Sequence, residues 1–161
     1  QSGVTTDDRR VTVAAKEKAA KTNAISSAIE LHDGTIITSK TSALLGTSAA
    51  LILNAVKHLA GIPHEEKLIP VSMIEPIQNM KVSYLKGNNP RLHTDEVLMS
   101  LTISALTNPV AEKAKQQLEN LQGCNAHFSV IISEEDEKIL RRLGVNVSCE
   151  AKYEIKKLYH K

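Results

Sequence analysis

Apolar residues recur at helical spacing, then at alternate positions, then at helical spacing again, so the chain reads as strands interleaved with helices. Asp7 to Thr22 predicts a first helix, with Thr6 as its cap and Asp7 and Asp8 in the turn where the helix dipole favours acids. Its apolar face is thin, made of Val11, Ala14, Ala15 and Ala19, as in a helix that packs very close to its neighbour or connects to something outside the chain. Ile25 to Leu31 and Thr35 to Ser39 predict a hairpin. Asp33-Gly34 lies between them, and both residues tolerate positive φ. Leu44 to Ala60 is the most apolar stretch and predicts a helix buried on most sides, with Thr41 or Ser42 as its cap. Gly61 ends it and Pro63 prevents a restart.

Lys67 to Ile74 predicts a strand, with Pro70 marking an edge or a bulge, and Asn79 to Arg91 reads as polar and irregular. Asp95 to Leu106 predicts a helix capped by Thr94, and Pro109 opens another through Leu121. Ala126 to Ile132 predicts a buried strand. Ser133 then caps a helix, with Asp136 completing a capping-box variant, and Val145 to Cys149 forms a last strand. This alternation implies an α/β fold: a layered mixed sheet with helices on both faces. Residues 1–23 form a connecting helix, 24–152 the α/β domain and 153–161 a polar tail.

Length and composition narrow the class. A chain of 161 residues fits one domain and can bury a core without metals or disulfides. With three Tyr, one Phe and no Trp, that core is aliphatic. The net charge of +2 is spread along the chain, without the basic stripe and stacking aromatics of a nucleic-acid binder. No apolar run reaches membrane-spanning length, and no signal peptide is visible. Two cysteines, Cys124 and Cys149, do not make a disulfide framework and fit a reducing, cytoplasmic setting.

The order of hairpin, buried helix, strand, helix, strand resembles the cytidine-deaminase-like arrangement. Such enzymes hold zinc at the starts of two core helices. Here those places read Gly46-Thr47-Ser48-Ala49 and Ile74-Glu75-Pro76-Ile77, without the ligands. Cys124 and His127 are separated by two residues but have no second ligand cluster nearby, so no metal site is expected. Arg91 and His93 precede the helix start at Thr94 and can hold an anion there. Glu75 follows a predicted strand end, where α/β proteins place functional groups. Asn54 and His58, one turn apart on the apolar helix, suggest a buried hydrogen-bond network.

Several segments in order, Asp33-Gly34-Thr35-Ile36-Ile37-Thr38, Glu75-Pro76-Ile77-Gln78 and Arg91-Leu92-His93-Thr94-Asp95-Glu96-Val97-Leu98, resemble the bacterial family known as domain of unknown function 1846. Thr107-Asn108-Pro109, Gly123-Cys124-Asn125-Ala126-His127 and Arg142-Leu143-Gly144 extend the resemblance over nearly the whole chain. It implies that the chain is the C-terminal third of a longer protein. The N-terminal part of that family carries a Gly-rich, Lys-containing stretch that looks nucleotide-binding, so a nucleotide is a possible cofactor of the full-length protein and none is expected in this part. The family brings no established activity. Glu75, Arg91, His93, Thr94, Asn108, Cys124 and His127 are therefore candidate ligand-binding residues only. The favoured expectation is a non-catalytic accessory or assembly domain. It would contribute to a cleft with the N-terminal part or with a second copy, and the alternative is an anion-binding module around Arg91 and His93.

Overall fold

The alternation around Asp33-Gly34 is realised as a hairpin of β1 (Ser26–Glu30) and β2 (Ile36–Lys40) in the computed structural model, which describes residues 10–151. Gly34 takes a φ of 89°, open to glycine at no cost. The Thr35 N–H donates to Asp33 Oδ1 at 2.9 Å, and this bond holds the Asp33 carboxyl below its ordinary range. β3 (Asn125–Phe128) lies antiparallel to the other side of β1, and β4 (Asn146–Cys149) runs parallel to β3. The sheet is therefore mixed, in the order β2-β1-β3-β4.

Side chains alternate across a pleated strand, so the sheet has two distinct faces. Ala28 packs with Val11 and Ala15 of α1 (Arg10–Thr22), whose small residues let it sit close to the sheet. The opposite face carries the main core. There Ile29, Ala126 and Phe128 meet Leu51, Ile52, Ala55 and Val56 of α2 (Thr47–Leu59). Val97 and Leu101 of α4 (Thr94–Ser104), Ala111 and Ala114 of α5 (Pro109–Gln116) and Leu140 of α6 (Glu134–Arg142) complete that layer. A 3₁₀ turn, Gln117–Leu121, follows α5, and α6 makes the crossover between the parallel strands. Helices cover both faces. The described residues form an α/β fold of four strands and six helices, and none of these helices is long and apolar enough to cross a membrane.

The strand expected at Lys67 to Ile74 is not formed. Leu68 and Ile69 are buried in an irregular approach, and Pro70 starts α3 (Val71–Asn79) instead of marking a sheet edge. The fixed φ of proline suits a helix start as well as a strand edge, and Ile74, Gln78 and Lys81 then recur at helical spacing. The deaminase-like order thus loses the strand it placed between the two core helices. Asn79 to Arg91 is also more ordered than its polarity suggests: Met80–Tyr84 forms a π-helical turn, closed by Leu85 N–H on the Met80 carbonyl at 3.0 Å. Two caps differ by position. Gly46, rather than Thr41 or Ser42, precedes α2, and His93, rather than Thr94, precedes α4. Readings that concern residues 1–9 and the tail 153–161 lie outside the described residues.

Candidate functional site

Two polar constellations stand at the carboxyl ends of β2, β3 and β4, the end of an α/β sheet where ligands commonly bind. The first joins helix starts. The strap before α4 runs beside the strap before α2: Leu92 N–H donates to the Leu44 carbonyl, and Gly46 N–H to the Leu92 carbonyl. Ser48 and Thr94, in the first turns of α2 and α4, share a buried hydroxyl contact of 3.0 Å. Behind them Ser27, Ser39 and Thr47 form a buried triangle with hydroxyl separations of 2.7 to 2.9 Å. The position at which a deaminase-like helix would present a metal ligand is thus occupied by hydroxyl groups that satisfy one another.

The donors at the start of α4 are met by carboxylates. Glu96 Oε1 accepts the His93 N–H at 2.8 Å, the reciprocal arm of a capping box. Asp136 Oδ1 reaches across from α6 to accept the Thr94 N–H at 3.2 Å. Asp136 was expected to serve its own helix start. Its N–H is indeed accepted by Ser133 Oγ at 3.2 Å, but its carboxylate caps a different helix. Lys81 Nζ lies 2.8 Å from Glu96 and also donates to the Arg91 carbonyl, while the Arg91 guanidinium donates to the Ser42 carbonyl. Replacing Asp136 by alanine should lower stability by about 1 kcal/mol, the usual cost of a lost cap. Urea denaturation checks this, and an unchanged midpoint would show that the Thr94 N–H does not need this partner.

The second constellation lies under α1. His127 is fully buried in β3, on the sheet face of Ala28. Its Nδ1 is 2.7 Å from Ser148 Oγ and its Nε2 is 2.6 Å from Glu150 Oε2. Lys16 of α1 stands 3.8 Å from the same carboxylate oxygen. A cleft of about 360 Å³ adjoins Glu150, bounded by Lys16, Asn23 and Ser129 with small alanines behind. A serine, a histidine and a glutamate in line invite comparison with a hydrolase relay. Here Ser148 also contacts the Ala126 carbonyl at 3.3 Å, the imidazole is sealed from solvent, and the cleft is lined by Glu150 but not by Ser148. The arrangement ties α1 to the sheet.

The candidates from the sequence fall into separate places. Arg91, His93 and Thr94 do come together with Ser42, Lys81 and Asp136 at the head of α4. Asn108 caps α5, accepting the Val110 N–H at 3.0 Å. It lies beyond the far end of the 11-residue α4, about 16 Å along its axis. Glu75 is exposed on α3. Strand alternation sends Cys124 into the main core and His127 to the opposite face, so the two do not converge on one ion. Burial pushes the thiols of Cys124 and Cys149 up from their ordinary range. Ser148, Glu150, Lys16 and Lys81 carried no local sequence signal. Their roles depend on register and on contacts between distant segments.

The chain is similar to bacterial proteins named UPF0371 proteins. It is 53% identical over 159 residues to a UPF0371 protein of Corynebacterium urealyticum, covering 99% of this chain and 32% of the relative. Over 161 residues it is 48% identical to a UPF0371 protein of Corynebacterium glutamicum, covering 100% of this chain and 32% of the relative. A UPF0371 protein of Streptococcus pyogenes is 48% identical over 159 residues, with 99% of this chain and 32% of the relative covered. The chain thus spans about a third of the length of these curated relatives. A family model described as "Domain of unknown function DUF1846, C-terminal" matches residues 7–159, and the chain belongs to that family.

Proposed function

We propose that this domain is a non-catalytic accessory domain. It packs against the part of the protein that corresponds to the two thirds of the relatives' length not spanned here, and it contributes one wall of a cleft to the whole. The observation that carries this reading is an uncovered apolar stripe on α4. Met99 and Ile103, one turn apart on the outward face of α4, are 60% and 58% exposed, and Leu106 in the turn that follows is 81% exposed. Tyr84 and Leu85 are also exposed, 75% and 68%, in and after the π-helical turn that Lys81 ties to Glu96 in the first turn of α4. Contiguous apolar surface of this kind marks an interface, whereas scattered exposed leucines do not. The relatives' greater length supplies the occupant.

The competing anion-site reading has less support. The cations Lys81 and Arg91 lie beside the α4 start, but Glu96 and Asp136 already occupy the His93 and Thr94 N–H groups. Under the present proposal, any nucleotide chemistry of the whole protein resides outside this domain.

Charge insertion into the stripe tests the proposal. With Met99→Glu and Ile103→Glu together, the domain alone should keep its stability to within about 0.5 kcal/mol, because both sites are exposed. In the full-length protein the same pair should detach the domain, seen as a separate low-temperature unfolding transition and rapid proteolysis between the two parts. A full-length variant that melts and resists protease like its parent would defeat the reading. A change only in oligomer size would reassign the stripe to contacts between copies.

A further inference from the structure

The edge strand β2 carries a second surface, with different chemistry. In the β1–β2 ladder the hydrogen-bonded partners are Leu31 with Thr35, and then every second pair out to Ile25 with Thr41. Ile36, Thr38 and Lys40 therefore turn their backbone groups away from β1, toward the open side of the sheet. Among the described residues, only Asn54 Nδ2 meets them there, donating to the Thr38 carbonyl at 3.0 Å. The N–H groups of Ile36, Thr38 and Lys40 remain available along one line.

A cleft of about 430 Å³ runs along this edge. One wall is Lys18 of α1. The other is formed by Asn54, Lys57 and His58 of α2, with Ile62 and His64 beyond it. The lining thus holds two lysines and two histidines and no carboxylate. Lys57 is held in the wall by the His64 and Glu66 carbonyls, at 2.6 and 3.0 Å, so its ammonium has a fixed position. Edge strands are commonly protected by a lysine on the strand itself. Lys40 plays that part only at the end of β2, whereas the other cations stand on the flanking segments and leave the strand's path clear.

We propose that β2 receives an extended, acid-rich polypeptide segment of a partner protein, which adds to the sheet as a fifth strand. Its backbone would accept from and donate to the open groups of Ile36, Thr38 and Lys40. Its carboxylates would meet Lys57, His58 and His64 on one face and Lys18 on the other, with apolar side chains against Ile36 and Ile62. Strand addition derives affinity from main-chain bonds and specificity from the flanking side chains. Pairing of β2 with β2 of a second copy is disfavoured by the same chemistry, since the cationic walls would face each other across the twofold axis.

The test uses the full-length protein and a fluorescent peptide in which pairs of glutamates alternate with pairs of valines, so that each face of the added strand carries both side chains. A lysine–valine peptide and a glutamate–valine peptide with alternate backbone N-methylation serve as controls. The expected result is binding of the first peptide only, with slower hydrogen exchange at Ile36, Thr38 and Lys40. Lys18→Glu, which reverses a rim charge, combined with His58→Glu, which adds a negative one, should weaken it about tenfold. Neither of these side chains holds a backbone group in place, so the variant should stay folded. Equal binding of the lysine peptide, protection elsewhere, or no binding would overturn the proposal. So would slow exchange at these three amides before any peptide is added, because the edge would then already be covered.

Discussion

His127→Ala is expected to destabilise the domain by about 3–4 kcal/mol, among the largest losses any single side chain here can produce. The imidazole is completely buried, so its removal opens an aromatic-sized void between α1 and the sheet. Such truncations cost about 3–5 kcal/mol when the surroundings cannot collapse. The lost bonds to Ser148 and Glu150 add less than a full orphaning penalty. Ser148 keeps the Ala126 carbonyl at 3.3 Å, and Glu150, with 24% of its side chain exposed, regains water and keeps Lys16. His127→Phe separates the two contributions. It refills the space but offers no ring nitrogen, and it should cost about 1–2 kcal/mol, the hydrogen-bond share. Urea midpoints with unchanged slopes would give both values. If alanine costs less than phenylalanine, the ring is not filling space there, and the account of how α1 is held fails. Hydrogen exchange adds a positional readout, since the amides of α1 should lose protection before those of α2.

How much of this was legible beforehand depended on the range of each signal. The hairpin was readable because its information is local: alternation in Ile25 to Leu31 and in Thr35 to Ser39, with Asp33-Gly34 able to turn between them. The buried α2 was readable because its apolar residues extend over more than three turns. The segment around Leu68, Ile69, Val71 and Ile74 was not. A short apolar run fits a strand or a helix equally well, and Pro70 is at home at either boundary. The shift of the α4 cap from Thr94 to His93 reflects Glu96, whose carboxylate at the third helical position selects the residue it can reach back to.

The polar sites were legible only in fragments. His127 stood out as a residue type, but its partners lie 21 and 23 positions away and meet it only because β4 pairs in parallel in the register His127 with Ser148. Asp136 reaches Thr94 across 42 positions. No local pattern encodes a contact set by a crossover helix. The same limit applies to the two surfaces proposed above. The apolar residues of α4 lie on most of its sides, so their sequence does not show which are left outward, and the open groups of β2 exist only once the strand order leaves that strand at an edge.

Gly144→Ala should rank with His127→Ala, at about 2–4 kcal/mol, for a reason that contacts alone do not show. Gly144 closes α6 with a φ of 87°, a left-handed conformation in which any Cβ is strained. There is also no room. A Cβ at this position would lie 2.6 Å from Gln122 Cγ and 3.0 Å from Gln122 Cα. The side-chain atom can swing aside, but the Cα cannot without moving the turn that leads into β3. That turn is anchored to the same residue: Gly123 N–H donates to the Gly144 carbonyl at 2.8 Å, and Asn146 N–H to the Cys124 carbonyl at 2.8 Å. The conformational strain accounts for about 1 kcal/mol and the overpacking for about 1–3 kcal/mol more. Gly61→Ala is the built-in control. Gly61 also has a positive φ, 71°, but nothing lies within 4 Å of its Cβ position, so only the strain should appear. Thermal or urea unfolding of the two variants should therefore differ by about 1–3 kcal/mol. Equal losses would mean that the turn at Gln122 yields freely, and that the junction between α6, β3 and β4 is looser than its hydrogen bonds indicate.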